Sequence, residues 1–177
     1  FPTRRSSDLA QETNVRQAIL FLIDGMRPDA LSQAKTPAID RLMRSGFHTL
    51  NARTVMPSVT LPCITSLFLS TAPDVHGVTS NLWTLARPLP SLFEVVYEAG
   101  GRATSFYNWE PLRDLSRPGA LQASVYLRNS HTPQGDAELA AHAATYLSDN
   151  PVDFTFVYLG HTDEAGHAHG WLSQPYM

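Results

Sequence analysis

Cysteine is nearly absent from this chain. Cys63 is the only one, so no internal disulfide can form, and the redox compartment stays open with a slight lean to the cytoplasm. Basic residues are not in excess either. The 13 Lys and Arg stand against 16 Asp and Glu, a formal charge of −3 that offers no electrostatic footprint for a nucleic-acid polymer. No apolar run approaches the roughly 18 residues that a membrane-spanning segment requires. Internal repeats, low-complexity tracts and interdomain linkers are missing as well. What remains is an ordinary globular composition, 43% hydrophobic and 16% charged, and 177 residues suffice for one domain with a proper core.

The two ends stand apart from the rest. Residues 1–9, FPTRRSSDL, back-translate into a common sequencing-adapter oligonucleotide and are set aside as a translated artefact rather than a basic arm. The closing WLSQPYM carries no terminal helix pattern. Residues 10–177 are therefore expected to be the N-terminal part of one domain.

Along that stretch, strand and helix patterns alternate. Gln17 to Ile23 is a continuous apolar run that predicts a strand buried on both faces, ending at Asp24-Gly25. Thr36, Pro37 and Gly46 bracket a short helix with Ile39, Leu42 and Met43 as its buried stripe. A strand is expected over Thr49 to Val55, and Thr60 opens an apolar helix with Pro62 in its first turn. Ser91 and Glu94 form a capping box for a helix through Ala99, closed by Gly100. Ala103 to Tyr107 is the next strand, followed by a loop-rich region to Pro133 with a short strand at Ser124 to Leu127. Asp136 is expected to cap a helix whose Leu139, Ala143, Tyr146 and Leu147 share one face. Asp153 to Leu159 is the last strand. The alternation predicts an α/β fold: a mostly parallel sheet with helices on both faces.

In such sheets functional groups gather at the carboxyl ends of the strands. Asp24 stands there after AILFLI, and Asp163 with His167 follows DFTFVYLG. Carboxylate oxygen and imidazole nitrogen suit a divalent cation such as zinc. Alone, Asp24 could equally organise a loop. The Ala165-Gly166 pair is expected to make a tight turn between Asp163 and His167, with His161 and His169 left as non-ligands. Thr60 is either a helix cap or a hydroxyl nucleophile, since helix N-terminal amides favour negative charge and a nearby metal would lower its pKa. Asn81 is either a turn residue or an amide donor to an oxyanion. Trp83, Tyr107 and Trp109 could stack on a substrate ring or simply pack in the core. Arg27, Arg113 and Arg117 could pair with a phosphate or stay solvated.

The segments LIDGMRPD, MPSVTLPCITSLFLSTAPDVHGVTSN and YLGHTDEAGH, in this order, resemble the alkaline phosphatase superfamily, most closely its type I phosphodiesterase / nucleotide pyrophosphatase branch. The resemblance covers roughly Ala18 to Trp171. It implies an alkaline-phosphatase-like fold, incomplete at the C-terminal side, and a hydrolase of phosphodiester or pyrophosphate bonds in small nucleotide-type substrates. It implies two Zn2+ ions about 4 Å apart, with other divalent metals possible. One would be held by Asp24 and Thr60, the other by Asp163 and His167. Thr60 would form a covalent phospho-threonine, and Asn81 with the Thr60 amide would hold a non-bridging oxygen.

The chain departs from the family pattern in places. Cys63-Ile64 replaces the usual Asn-His and is expected to pack within the helix. The Asp-His-Gly motif and the later histidine that complete the family's metal sites do not occur in these 177 residues. Two protein ligands per zinc fall short of the usual three, so this chain by itself is expected to bind zinc weakly and to be inactive, with an exposed sheet edge. The enzymatic rivals are a phosphomonoesterase, a phosphomutase and a sulfatase of the same superfamily. The sulfatase motif Cys-x-Pro-x-Arg is not met by Cys63-Ile64-Thr65-Ser66-Leu67. A metal-binding scaffold without catalysis is the non-enzymatic rival.

Overall fold

The computed structural model describes residues 17–82 and 89–177. Trp83 and residues 1–9 lie outside the described residues. Four parallel strands, β1 (Ala18–Ile23), β2 (Ala103–Tyr107), β3 (Ala123–Tyr126) and β4 (Phe154–Leu159), form one sheet in the order β1-β4-β2-β3. β4 is last in sequence yet lies between β1 and β2, in register with Ala18 to Ile23 on one side and Ala103 to Tyr107 on the other. Crossovers of this kind are what parallel pairing demands. They also set the ends of β1 and β4 side by side.

The period-two alternation of β4 divides its side chains between two cores. Phe154, Phe156 and Tyr158 face one layer of helices, α2 (Thr60–Leu69) and α4 (Leu92–Glu98), together with a 3-10 helix at Glu110–Leu115. There Phe156 is wholly buried, its ring centroid 4.8 Å from that of Phe68, which lies 4.9 Å from Phe93. Val157 faces the other way, with Phe106, onto Leu139 and Ala143 of α5 (Pro133–Asp149). Thr104 and Thr155, paired in register, are fully buried and satisfy each other by a 3.0 Å hydroxyl hydrogen bond. Helices thus cover both faces.

The helices begin and end for local reasons. α2 is apolar on nearly all sides, and its Leu61, Ile64 and Phe68 enter the core. The α4 capping box is present, with Ser91 N–H donating to Glu94 Oε2 at 2.6 Å. Buried Glu94 also accepts from Arg117 N at 2.7 Å, so both of its oxygens have a donor. α1 (Pro37–Ser45) starts after Thr36 and ends at Gly46, as expected from sequence. α3 (Pro73–His76), a single turn, and α6 (His161–His169) complete the set.

Several expectations are corrected. β1 is not buried on both faces: Leu20 and Leu22 pack against the core, but Ile19 is 43% and Phe21 55% exposed, because α5 on that side of the sheet packs over β2 and β4. The α1 stripe is not buried either, Leu42 being 65% exposed. Thr49 to Val55 is irregular rather than a strand. Thr132, not Asp136, caps α5, its hydroxyl accepting from Gly135 N. α3 and the 3-10 helix carry no strong periodicity, and sequence reasoning passed over both.

Candidate active site

Asp24 follows β1, where its N–H donates to Leu159 O at 3.0 Å and fixes it beside the end of β4. Gly25 turns the chain with φ +67°, and its N–H donates back to Asp24 Oδ1 at 3.0 Å. A Cβ at Gly25 would stand 2.7 Å from Asp163 Cα, so only glycine lets this loop pass so close to α6. The turn brings the two carboxylates into one site.

Thr60 is the first residue of α2, after the extended Val59. Its Oγ1 donates to Asp24 Oδ2 at 3.1 Å, across 36 positions of sequence. Leu61 N–H donates to Asn81 Oδ1 at 2.9 Å. An N–H can only meet the oxygen of the amide, so the Asn81 NH2 is turned away from the helix. In the first turn of α2, Leu61 N–H goes to Asn81, Pro62 has none, and Cys63 N–H returns to Val59 O. The Thr60 amide therefore stands at the helix mouth, where backbone N–H groups favour an anion.

Asp163 and His167 lie one turn apart on α6, with Nε2 3.6 Å from Oδ2. The tight turn expected at Ala165-Gly166 is corrected to continuous helix, whose i, i+4 spacing places both side chains on one face. Gly166 has a different use: a side chain there would run into the Trp171 ring.

Charge is concentrated here. Burial pushes the Asp163 carboxyl above the usual carboxylate range, and the Asp24 charge pushes it further. The Tyr158 phenol, buried and donating to Asp24 Oδ2 at 2.6 Å, is held protonated by burial and by that carboxylate. Two facing carboxylates, a hydroxyl and an imidazole fit a divalent cation in donor type and charge. Asp24 with Thr60 and Asp163 with His167 form two half-sets. Among the described residues no group of three or more His, Cys, Asp or Glu is arranged to hold a metal ion.

A cleft of about 740 Å3 is lined by Asp24, Thr60, Asn81, Asp163, His167 and Trp171, so the fold gathers all five candidate residues around one opening. Other candidates are distributed differently. Tyr107 is core, stacked on Tyr126 and bonded to Ser124. Trp109 stands 6.4 Å from the Tyr158 ring at a smaller recess beside Thr60. Arg27 lines the cleft but is tied to Asp29 at 2.7 Å, Arg113 pairs with Glu110, and exposed Arg117 contributes its amide to Glu94. His161 points Nδ1 at Ser130 O, and His169 is exposed. Cys63 borders the cleft instead of packing within the helix, whereas Ile64 is buried. Sequence reasoning missed Tyr158 and Trp171; a polar-tipped aromatic one residue before the end of an apolar strand was the available signal for the first.

A sequence model of the type I phosphodiesterase / nucleotide pyrophosphatase family matches residues 18–114, more than half of the chain. The chain belongs to this family. Among relatives, ectonucleotide pyrophosphatase/phosphodiesterase family member 1 of Rattus norvegicus is 26% identical over 179 residues, covering 88% of this chain and 19% of that protein. The Mus musculus counterpart matches to the same extent. This chain therefore spans about a fifth of the length of the curated relatives it matches. Among solved structures, murine ectonucleotide pyrophosphatase/phosphodiesterase 5, an inactive form in complex with AMP, superposes with TM-score 0.73 at 17% identity over 90% of this chain and 47% of its own. Phosphonoacetate hydrolase from Sinorhizobium meliloti, in complex with phosphonoformate, gives TM-score 0.65 at 20% identity over 92% of this chain and 49% of its own. At such identities the structural likeness establishes the fold: a parallel α/β sheet shared with both.

Proposed function

We propose that these residues are part of the catalytic domain of a divalent-metal-dependent hydrolase that cleaves phosphodiester or pyrophosphate bonds in small nucleotide-type substrates. The observation that carries this is the 3.1 Å hydrogen bond from Thr60 Oγ1 to Asp24 Oδ2, at a helix N-terminus facing Asp163 and His167. Asp24 and Thr60 would hold one cation and Asp163 and His167 the other, each needing further ligands to complete it. Zinc is the ion that best suits mixed carboxylate and imidazole donors. Bound there, the pair would supply positive charge to the attacking and leaving oxygens.

The protein's own groups divide the remaining work. Asp24 orients the Thr60 hydroxyl, holding its proton on the Asp24 side so that an oxygen lone pair is left for the substrate. The Thr60 oxygen attacks phosphorus in line, its proton passing to Asp24 Oδ2 as the Thr60 O–P bond forms, while the bond to the leaving oxygen breaks and that oxygen takes a proton from solvent. Water then attacks phosphorus from the opposite side and gives a proton to solvent, the Thr60 O–P bond breaks, and the Thr60 oxygen recovers its proton from Asp24. The Thr60 amide and the outward NH2 of Asn81 stabilise the charge on a non-bridging oxygen through both displacements. Loss of one such donor typically costs about 100- to 1,000-fold in rate.

The test is a substrate panel of phosphodiesters, phosphomonoesters, phosphonates and sulfate esters, applied to the protein expressed from its complete reading frame. Metal-dependent turnover of diesters above the other classes is expected, abolished by Thr60→Ala with metal content retained. Unchanged turnover in Thr60→Ala removes Thr60 from this role. A preference for sulfate esters or monoesters transfers the assignment to a sister branch.

A further inference from the structure

Beside the smaller recess, one partly buried polar cluster joins three elements that sequence separates widely. Asp136 lies in the first turn of α5, Asn108 directly after β2, and Gly160 and His161 at the start of α6. Asp136 Oδ1 accepts from Asn108 Nδ2 at 2.6 Å and from Gly160 N at 3.2 Å. Asp136 Oδ2 accepts from His161 N at 3.2 Å. Asn108, only 2% exposed, accepts at its own Oδ1 from Gly160 N at 3.1 Å. The His161 ring is tethered by Nδ1 to the Ser130 carbonyl at 3.2 Å.

α6 has no capping side chain of its own, since Gly160 stands at its N-cap. Its first amides would be left without the partner that a Ser, Thr, Asp or Asn supplies. Asp136 provides that partner from another helix, and its carboxylate meets the positive end of the α6 dipole. Two glycines sit in close contacts beside this cluster. A side chain at Gly135 would collide with the Asn129 backbone, and a Cβ at Gly160 would lie 3.0 Å from Asn108 Oδ1. The Asp136 hydrogen bonds thus join the start of α5 to the start of α6.

From this arrangement we infer that Asp136 is a positioning residue: it fixes the origin and direction of α6, and through them the geometry of Asp163 and His167. Asp136 touches neither ligand. It acts on the amides two and three positions ahead of Asp163. The inference rests on the reading of Asp163 and His167 as cation ligands, and groups that orient metal ligands typically govern about 10- to 100-fold in metal affinity.

The experiment compares the protein expressed from its complete reading frame with its Asp136→Ala and Asp136→Asn variants by amide hydrogen exchange and by calorimetric titration with Zn2+. In Asp136→Ala, exchange at Gly160, His161 and onward to Asp163 should accelerate at least about tenfold while β4 amides keep their protection, and Zn2+ affinity should fall by about 10- to 100-fold. Asp136→Asn keeps one acceptor oxygen and should lie between. Wild-type exchange and wild-type affinity in Asp136→Ala overturn the inference, as does acceleration spread evenly over the sheet. If that unaltered protein takes up no Zn2+, the cation reading fails by itself. Exchange then decides: a rise confined to residues 160–163 sustains the positioning role, and no rise removes it. If Asp136→Ala does not fold, the same two readouts on Asp136→Asn decide, with localised intermediate loss for and unchanged behaviour against.

Discussion

Gly25 and Asp163 meet backbone to backbone: a methyl group on Gly25 would stand 2.7 Å from Asp163 Cα and 3.0 Å from Asp163 Oδ1. The positive φ of Gly25 adds a second reason for glycine at this point. Through this contact the ends of β1 and α6 share one site. Gly25→Ala is expected to destabilise the fold by about 1–3 kcal/mol, as forced left-handed conformations do, and to drive Asp163 away from Asp24. Chemical denaturation checks the first effect and Zn2+ titration the second. An alanine variant that matched the parent in both would break the link.

Tyr158 shares the Asp24 oxygen with Thr60. Removing its hydroxyl in Tyr158→Phe leaves the ring packed but deletes the 2.6 Å bond to a carboxylate. A hydrogen bond to a charged group contributes about 1.5–3 kcal/mol. The unfolding free energy should fall within that range, with the far-ultraviolet spectrum unchanged. No loss of stability would mean that Asp24 does not depend on this donor.

The aromatic cluster under the sheet carries much of the fold. Phe156 is fully buried against Phe68 and Phe93 at the centre of the strand that leads to α6. Truncating Phe156 to Ala should cost about 3–5 kcal/mol, measured by urea unfolding. Truncating the half-exposed Phe21 on edge strand β1 should cost far less. Equal costs would contradict the layering described here.

Asp136 also makes a prediction about pH. Its carboxyl is pushed above the usual value of 3.8 mainly by burial, against hydrogen bonds from Asn108, His161 and Gly160 that pull it down. The folded state therefore holds the proton to higher pH than the unfolded state does. The contribution of this group to stability is greatest below 3.8, declines as pH rises through the window up to its folded pKa, and is level above it. A carbon-detected NMR titration should give a midpoint above 3.8 for this side chain. The stability difference between parent and Asp136→Asn should shift across that same window. A midpoint at or below the usual value would contradict the burial argument.

The sequence made β2 and β4, the α4 capping box and the start of α2 legible, because each carries its own local signature: a β-rich apolar run, Ser91 with Glu94, and Pro62 in a first turn. Asp24, Asp163 and His167 could be placed after strand ends and Thr60 at a helix start for the same reason, whereas Asn81 read as either a turn residue or an amide donor; the fold gathers all five around one cleft. What could not be read was tertiary. The exposure of Ile19, Phe21 and Leu42 depends on what lies beside β1 and α1, not on their own pattern. Thr49 to Val55 has strand-forming residues but no strand partner in the described sheet. Asp136 reads as a local cap, yet its acceptors serve another helix, a choice that only packing makes.

The most direct test of the account is chemical trapping on Thr60. A phosphodiester is turned over by the protein from its complete reading frame, the reaction is quenched in acid, and peptides are mapped by mass spectrometry. The account predicts a phosphate-ester adduct on the peptide bearing Thr60, absent in Thr60→Ala. Turnover with no adduct there, or an adduct on another side chain, would contradict it.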